Sequence, residues 1–150
     1  MTGGTVAFVP PTRVTPRRRV VLVVPASDER KVVSALRADC DEVMLDLEDA
    51  VVPAAKADAR ARAVSVLAAR TAAAPAVSVR INARGTDEYY DDLDAMASAH
   101  PATVMVPKVD GPDDVRDAVR RLRDAPTGVQ ALIETARGVE TVGEIAAAHA

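Results

Sequence analysis

Short, continuous apolar runs alternate along this chain with longer stretches in which apolar residues recur at helical spacing. The first run, Val20-Val21-Leu22-Val23-Val24, is rich in β-branched residues, as expected of a parallel strand covered on both faces, and it stops at Pro25. Ser27 then stands as an N-cap, with Asp28 and Glu29 in the first turn of a helix whose stripe is Val32, Val33 and Leu36. A second strand runs through Val43-Met44-Leu45 into Asp46-Leu47-Glu48-Asp49, and a helix from about Ala54 to Arg70 follows Pro53. Its predicted buried face is Ala57, Ala61, Val64 and Ala68, with Asp58 and Arg62 paired on the outside. The third strand covers Ala76 to Asn82. Thr86 is the predicted cap of the next helix, which buries Tyr89, Leu93 and Met96. Thr103 to Val106 is the fourth strand, and Gly111-Pro112-Asp113-Asp114 opens the fourth helix. Val129 to Ile133 makes the fifth strand. A fifth helix, with stripe Val139, Val142, Ile145 and Ala146, is expected to run to the last residue.

The pattern predicts an α/β protein of five β/α units in tandem, with connections long enough for parallel crossovers. Two architectures fit. One is a self-contained five-stranded doubly wound domain, and the other is the first five units of an eight-unit barrel. Residues 1–18, with Pro10, Pro11 and Pro16, read as an irregular arm, and 19–150 as the β/α region.

Composition narrows the function classes. Aromatic residues make up 2% of the chain and the net charge is −3, which argues against a nucleic-acid partner needing a basic face and stacking platforms. No apolar run approaches the roughly 20 residues that span a bilayer. Cys40 is the only cysteine, so neither an internal disulfide nor a cysteine metal cluster is expected, and a cytoplasmic setting is the default. Any metal would be a hard ion held by oxygen.

Polar residues collect where strands end: Asp46, Glu48 and Asp49 after the second, Arg80 and Asn82 on the third, Lys108 after the fourth, and Glu134 after the fifth. Three carboxylates within Asp46–Asp49 cannot all be packed in a core without partners. In the third strand Val77, Val79 and Ile81 point one way and Ser78, Arg80 and Asn82 the other. A closed barrel gives that polar face a destination, with Arg80 at the mouth. Bland readings stand beside these: Arg80 in a structural ion pair with Glu48 or Asp49, Asp46 and Asp49 orienting the loop, and Lys108 simply solvated.

Taken in order, Val-Leu-Val-Val-Pro-Ala-Ser (Val21–Ser27), Leu-Asp-Leu-Glu-Asp-Ala-Val (Leu45–Val51), Val-Arg-Ile-Asn-Ala (Val79–Ala83), Val-Pro-Lys-Val (Val106–Val109) and Leu-Ile-Glu-Thr-Ala (Leu132–Ala136) resemble the citrate lyase beta-subunit and malyl-CoA lyase family. The resemblance implies a (β/α)8 TIM barrel, of which this chain holds the first five β/α units. It implies a magnesium-dependent carbon–carbon lyase acting on a citryl-, malyl- or citramalyl-CoA thioester by a retro-Claisen step. By position, Glu134 matches a Mg²⁺-ligating glutamate, Arg80 the arginine that contacts substrate oxygens, and Glu48 and Asp49 the acidic pair of the pocket. Arg80 and Glu48 are the implied catalytic residues, while Arg80, Glu48, Asp49 and Glu134 line the substrate. The second metal ligand and an acid–base residue of that family have no counterpart here. The implied partner is a CoA thioester or 2-oxo acid in a homo-oligomer. The rival readings are a CoA-independent pyruvate aldolase of the same superfamily, a non-catalytic barrel subunit, and a flavodoxin-like domain. The last lacks support, since no Gly-rich phosphate loop follows the first strand.

Overall fold

The computed structural model describes residues 18–71 and 74–148. The predicted arm, apart from Arg18, lies outside the described residues, as do the last two positions of the predicted fifth helix. Five strands, β1 (Val21–Pro25), β2 (Glu42–Asp46), β3 (Ala76–Arg80), β4 (Thr103–Val106) and β5 (Gly128–Ala131), form one sheet. All neighbours are parallel and their order is sequential, β1-β2-β3-β4-β5. Between them run α1 (Glu29–Ala35), α2 (Lys56–Ala69), α3 (Glu88–Ala99) and α4 (Pro112–Leu122). A doubly wound sheet reverses direction and places its first strand inside. Strict sequential order instead is that of a barrel sector, which decides between the two architectures.

The pleat sorts the side chains as the third strand foretold. Val43 and Leu45, Val77 and Val79, and Val104 and Val106 are buried beneath the helical layer, against Ala59, Ala63, Leu67, Leu93, Met96 and Ala118. Each such Val or Leu contributes about 1.5–3 kcal/mol by leaving water. On the opposite face the register pairs Met44 with Ser78, Asp46 with Arg80, and Arg80 with Met105. Here the interior is polar: Ser78 Oγ and Thr103 Oγ1 are 2.7 Å apart, and buried Glu42 meets Arg18 Nε at 2.5 Å.

Several local expectations are corrected. Asp28, not Ser27, caps α1, its Oδ1 accepting the Lys31 amide at 3.1 Å. The buried face of α2 is Ala59, Ala63 and Leu67, while Ala57, Ala61 and Ala68 are exposed. Alanine occurs on every side of this helix, so its sequence defines no unique stripe. Arg62 does not pair with Asp58; its Nη1 donates to the carbonyls of Ala26 and Ser27 at 3.2 and 3.1 Å. Thr86 donates to the Ala83 carbonyl, and the cap position of α3 is Asp87. The predicted fifth helix is two short ones, α5 (Ala136–Glu140) and α6 (Val142–Ala146), with Thr141 between them. Of its stripe, Ile145 is buried but Val139, Val142 and Ala146 are exposed. No helix among the described residues is long and apolar enough to cross a membrane.

Candidate active site

The carboxyl ends of the strands carry the charged groups, and β2 begins the arrangement. Asp46 closes that strand fully buried. Its Oδ1 accepts from Arg80 Nε at 2.8 Å and from the Glu48 amide at 2.9 Å. Its Oδ2 accepts from Arg80 Nη2 at 2.7 Å and from the Ala50 amide at 3.1 Å. Burial raises the Asp46 carboxyl pKa, but the Arg80 hydrogen bonds and the two amides outweigh it and hold the group below the usual range. The same hydrogen bonds raise Arg80, against the opposing effect of burial. Asp46 therefore both shapes the acidic turn and locks the guanidinium in a fork-to-fork pair.

Arg80 thus has a different principal partner from either Glu48 or Asp49. Its remaining nitrogen, Nη1, lies 3.5 Å from Glu48 Oε2. Glu48 is 4% exposed, and its Oε1 stands 2.7 Å from Lys108 Nζ. Neither oxygen of Glu48 receives an aligned hydrogen bond. Asp49 is exposed, with Oδ1 3.2 Å from Lys108 Nζ. Glu134, also exposed, uses Oε1 to accept the Lys108 amide at 3.1 Å. Arg80, Glu48, Asp49 and Glu134 are thereby joined through Lys108 at one end of the sheet.

Lys108 is no mere solvated strand end. Its φ is +51°, a left-handed backbone that costs a side-chain-bearing residue on the order of 1–3 kcal/mol and persists only where surroundings enforce it. The Glu48 and Asp49 carboxylates raise its ammonium pKa.

Lys56, which sequence reasoning missed, clamps the turn from the other side. Its Nζ donates to the carbonyls of Leu47 and Glu48 at 2.7 and 2.6 Å and to Asn82 Oδ1 at 2.6 Å. Asn82 in turn donates its backbone and side-chain N–H groups to buried Asp92 at 2.9 and 2.7 Å. Arg60 Nε completes Asp92 at 2.6 Å and also contacts Glu88. One signal for Lys56 was in the sequence: a lysine in the first turn of a helix opposes the dipole, so it needs acceptors elsewhere. A cleft of about 320 Å³ opens beside these groups, lined by Glu48, Asp49, Lys56, Asn82 and Lys108 among others. A larger groove of about 670 Å³ lies between α1 and α2, away from them.

The donor set suits a hard divalent ion in part. Glu134 offers a solvent-facing carboxylate whose one hydrogen bond is to a backbone amide. No three Asp, Glu, His or Cys side chains gather as a metal cluster among the described residues. Mg²⁺ commonly takes one or two protein carboxylates and leaves its other positions to water and substrate, so a single ligand from this chain is compatible with such a site.

Fold and strand-end charges together define a five-stranded sector of the β/α-barrel type with acids and cations gathered at the carboxyl ends of its strands. The chain belongs to the HpcH/HpaI aldolase/citrate lyase family, whose profile matches residues 19–150. It is 40% identical over 129 residues to the citrate lyase subunit beta-like protein of Mycobacterium tuberculosis, covering 85% of this chain and 42% of that protein. It is 34% identical over 129 residues to a (3S)-malyl-CoA thioesterase of Cereibacter sphaeroides, covering 86% of this chain and 45% of the relative. Among solved structures it resembles the M. tuberculosis protein CitE in complex with magnesium, acetoacetate and coenzyme A, with a TM-score of 0.65 and 36% identity over 86% of this chain and 44% of that one. The chain spans under half the length of these curated relatives.

Proposed function

We propose that this chain supplies five β/α units, residues 19–150, and part of the active site of a magnesium-dependent carbon–carbon lyase. Its substrate would be a 3-hydroxy-acyl-CoA thioester of the citryl, malyl or citramalyl type, cleaved or formed by retro-Claisen chemistry. Family membership and a relative crystallised with magnesium, acetoacetate and coenzyme A support this reading. The observation that carries it is Arg80, held at the mouth by Asp46 and pointing Nη1 toward Glu48.

Glu134 is the residue of this chain that would hold Mg²⁺. When bound, the ion would supply Lewis-acid polarisation of a carboxylate and its neighbouring oxygen. Arg80 contributes a fixed positive charge. Two of its nitrogens are engaged by Asp46, so Nη1 is oriented without reorganisation beside Glu48, where it would meet negative charge developing on substrate oxygen. Glu48, buried between Arg80 and Lys108, faces the same space and sets its local charge balance. Asp49 lines its outer rim. The assembled enzyme is proposed to be a homo-oligomer.

A carbon–carbon cleavage assay on the full-length protein with malyl-, citramalyl- and citryl-CoA tests the proposal. Magnesium-dependent release of acetyl-CoA or its homologue is expected with one of them. Cleavage of free 2-oxo-4-hydroxy acids alone would favour the CoA-independent aldolase, and no cleavage of either would favour a non-catalytic subunit.

A further inference from the structure

Lys108 is the one described residue that touches Glu48, Asp49 and Glu134 together. Its left-handed backbone is held from the β5 side by several contacts. The Val109 amide donates to the Leu132 carbonyl at 3.3 Å, and Thr141 Oγ1 donates to the Asp110 carbonyl at 2.9 Å. Thr135 also bonds Asp110. Gly138 packs so closely that a Cβ there would lie 2.4 Å from the Val109 carbonyl oxygen. The segment after β4 is therefore fixed by α5 and its approach, while the Lys108 ammonium reaches the other way, to the acidic turn after β2. A strained residue enforced on one side and extended across a charged mouth has the form expected of a functional device.

We propose that Lys108 is a positioning residue of this mouth. Its amide orients Glu134, and its ammonium holds Glu48 and Asp49, so the two halves of the site keep one spacing across β3. The inference rests on the lyase reading for its catalytic consequence, but not for the contacts themselves. The Lys108 side chain is 46% exposed, so the effect is on geometry more than on fold.

Hydrogen exchange and kinetics on the full-length protein test it. In Lys108→Met, amide exchange at Glu48–Val51 is expected to accelerate about tenfold while the β3 core stays unchanged. Lys108→Gly keeps the amide and eases the backbone, so its melting temperature should lie above that of Lys108→Met, yet the same turn should exchange faster than in the wild type. Lys108→Arg should restore slow exchange. In the acyl-CoA carbon–carbon cleavage assay, kcat is expected to drop about tenfold or more in the Met and Gly variants, with KM little changed. Unchanged exchange at Glu48–Val51 in both Met and Gly variants would overturn the proposal, and so would a Gly variant with normal kcat. If the wild type cleaves the carbon–carbon bond of none of these acyl-CoA substrates, the lyase reading fails, while the exchange result still decides the role of Lys108.

Discussion

Arg80 and Asp46 face each other across neighbouring strands, Nε to Oδ1 at 2.8 Å and Nη2 to Oδ2 at 2.7 Å. The register makes this pairing unavoidable, because Asp46 and Arg80 are direct Cα partners on the interior face. In the proposed lyase, the orientation of Arg80 would consequently depend on a carboxylate that never needs to touch substrate.

Replacing Asp46 by Asn should cost about 3 kcal/mol at neutral pH, since it leaves a largely buried guanidinium without its main partner. The pH dependence follows from the lowered folded-state pKa. Its contribution is complete above the unfolded value of 3.8 and is lost as pH falls through the lower folded value. Denaturant melts of wild type and Asp46→Asn should therefore differ most at neutral pH and converge in strong acid. A gap that persists unchanged at the acid end would contradict this assignment.

Arg80→Lys keeps the charge but not the two-pronged geometry. Activity in the full-length enzyme is expected to fall about a hundredfold or more, as on loss of one preorganised charge stabiliser, with a smaller proportional change in stability. Steady-state kinetics beside thermal melts separate the outcomes. A collapse of the melting temperature with residual kcat intact would make the arginine structural.

Lys56→Met removes three hydrogen bonds to buried acceptors, the carbonyls of Leu47 and Glu48 and the Asn82 amide oxygen. A loss of about 2–3 kcal/mol is expected from the acceptors left unsatisfied. Urea titration measures it, and Lys56→Arg should not rescue, because a planar fork cannot reach the same three acceptors.

Gly138→Ala places a methyl group 2.4 Å from the Val109 carbonyl oxygen. A destabilisation of about 1–3 kcal/mol is expected from overpacking against backbone. Gly143→Ala, within α6 and with open space at its Cβ position, is the control and should be stabilising by up to about 1 kcal/mol.

How much of this was legible in the sequence depended on the kind of signal. The alternation of β3 located both the helix-covered face and the polar interior, because strand periodicity leaves little freedom once one face is buried. The strand-end charges that the sequence placed at the carboxyl ends of the strands do gather there, linked through Glu48 and Lys108. The stripe of α2 was misread because alanine carries almost no directional information. Asp46 looked like a loop carboxylate, and its service to Arg80 required the β2–β3 register, which no local pattern encodes. The positive φ of Lys108 was equally invisible: nothing about a lysine announces a left-handed backbone, and the contacts around it come from residues far along the chain, among them Leu132, Glu134, Gly138 and Thr141. Splitting of the last predicted helix at Thr141 likewise reflects a long-range bond, to Asp110.

The proposed metal role of Glu134 is tested most directly by calorimetric titration of Mg²⁺ into the full-length protein and its Glu134→Gln variant. Loss of one of the one or two carboxylates that hold such an ion should weaken binding at least about tenfold, with the melting temperature of the metal-free proteins unchanged. Equal Mg²⁺ affinity in the two proteins would contradict it, and would remove Glu134 from the metal site.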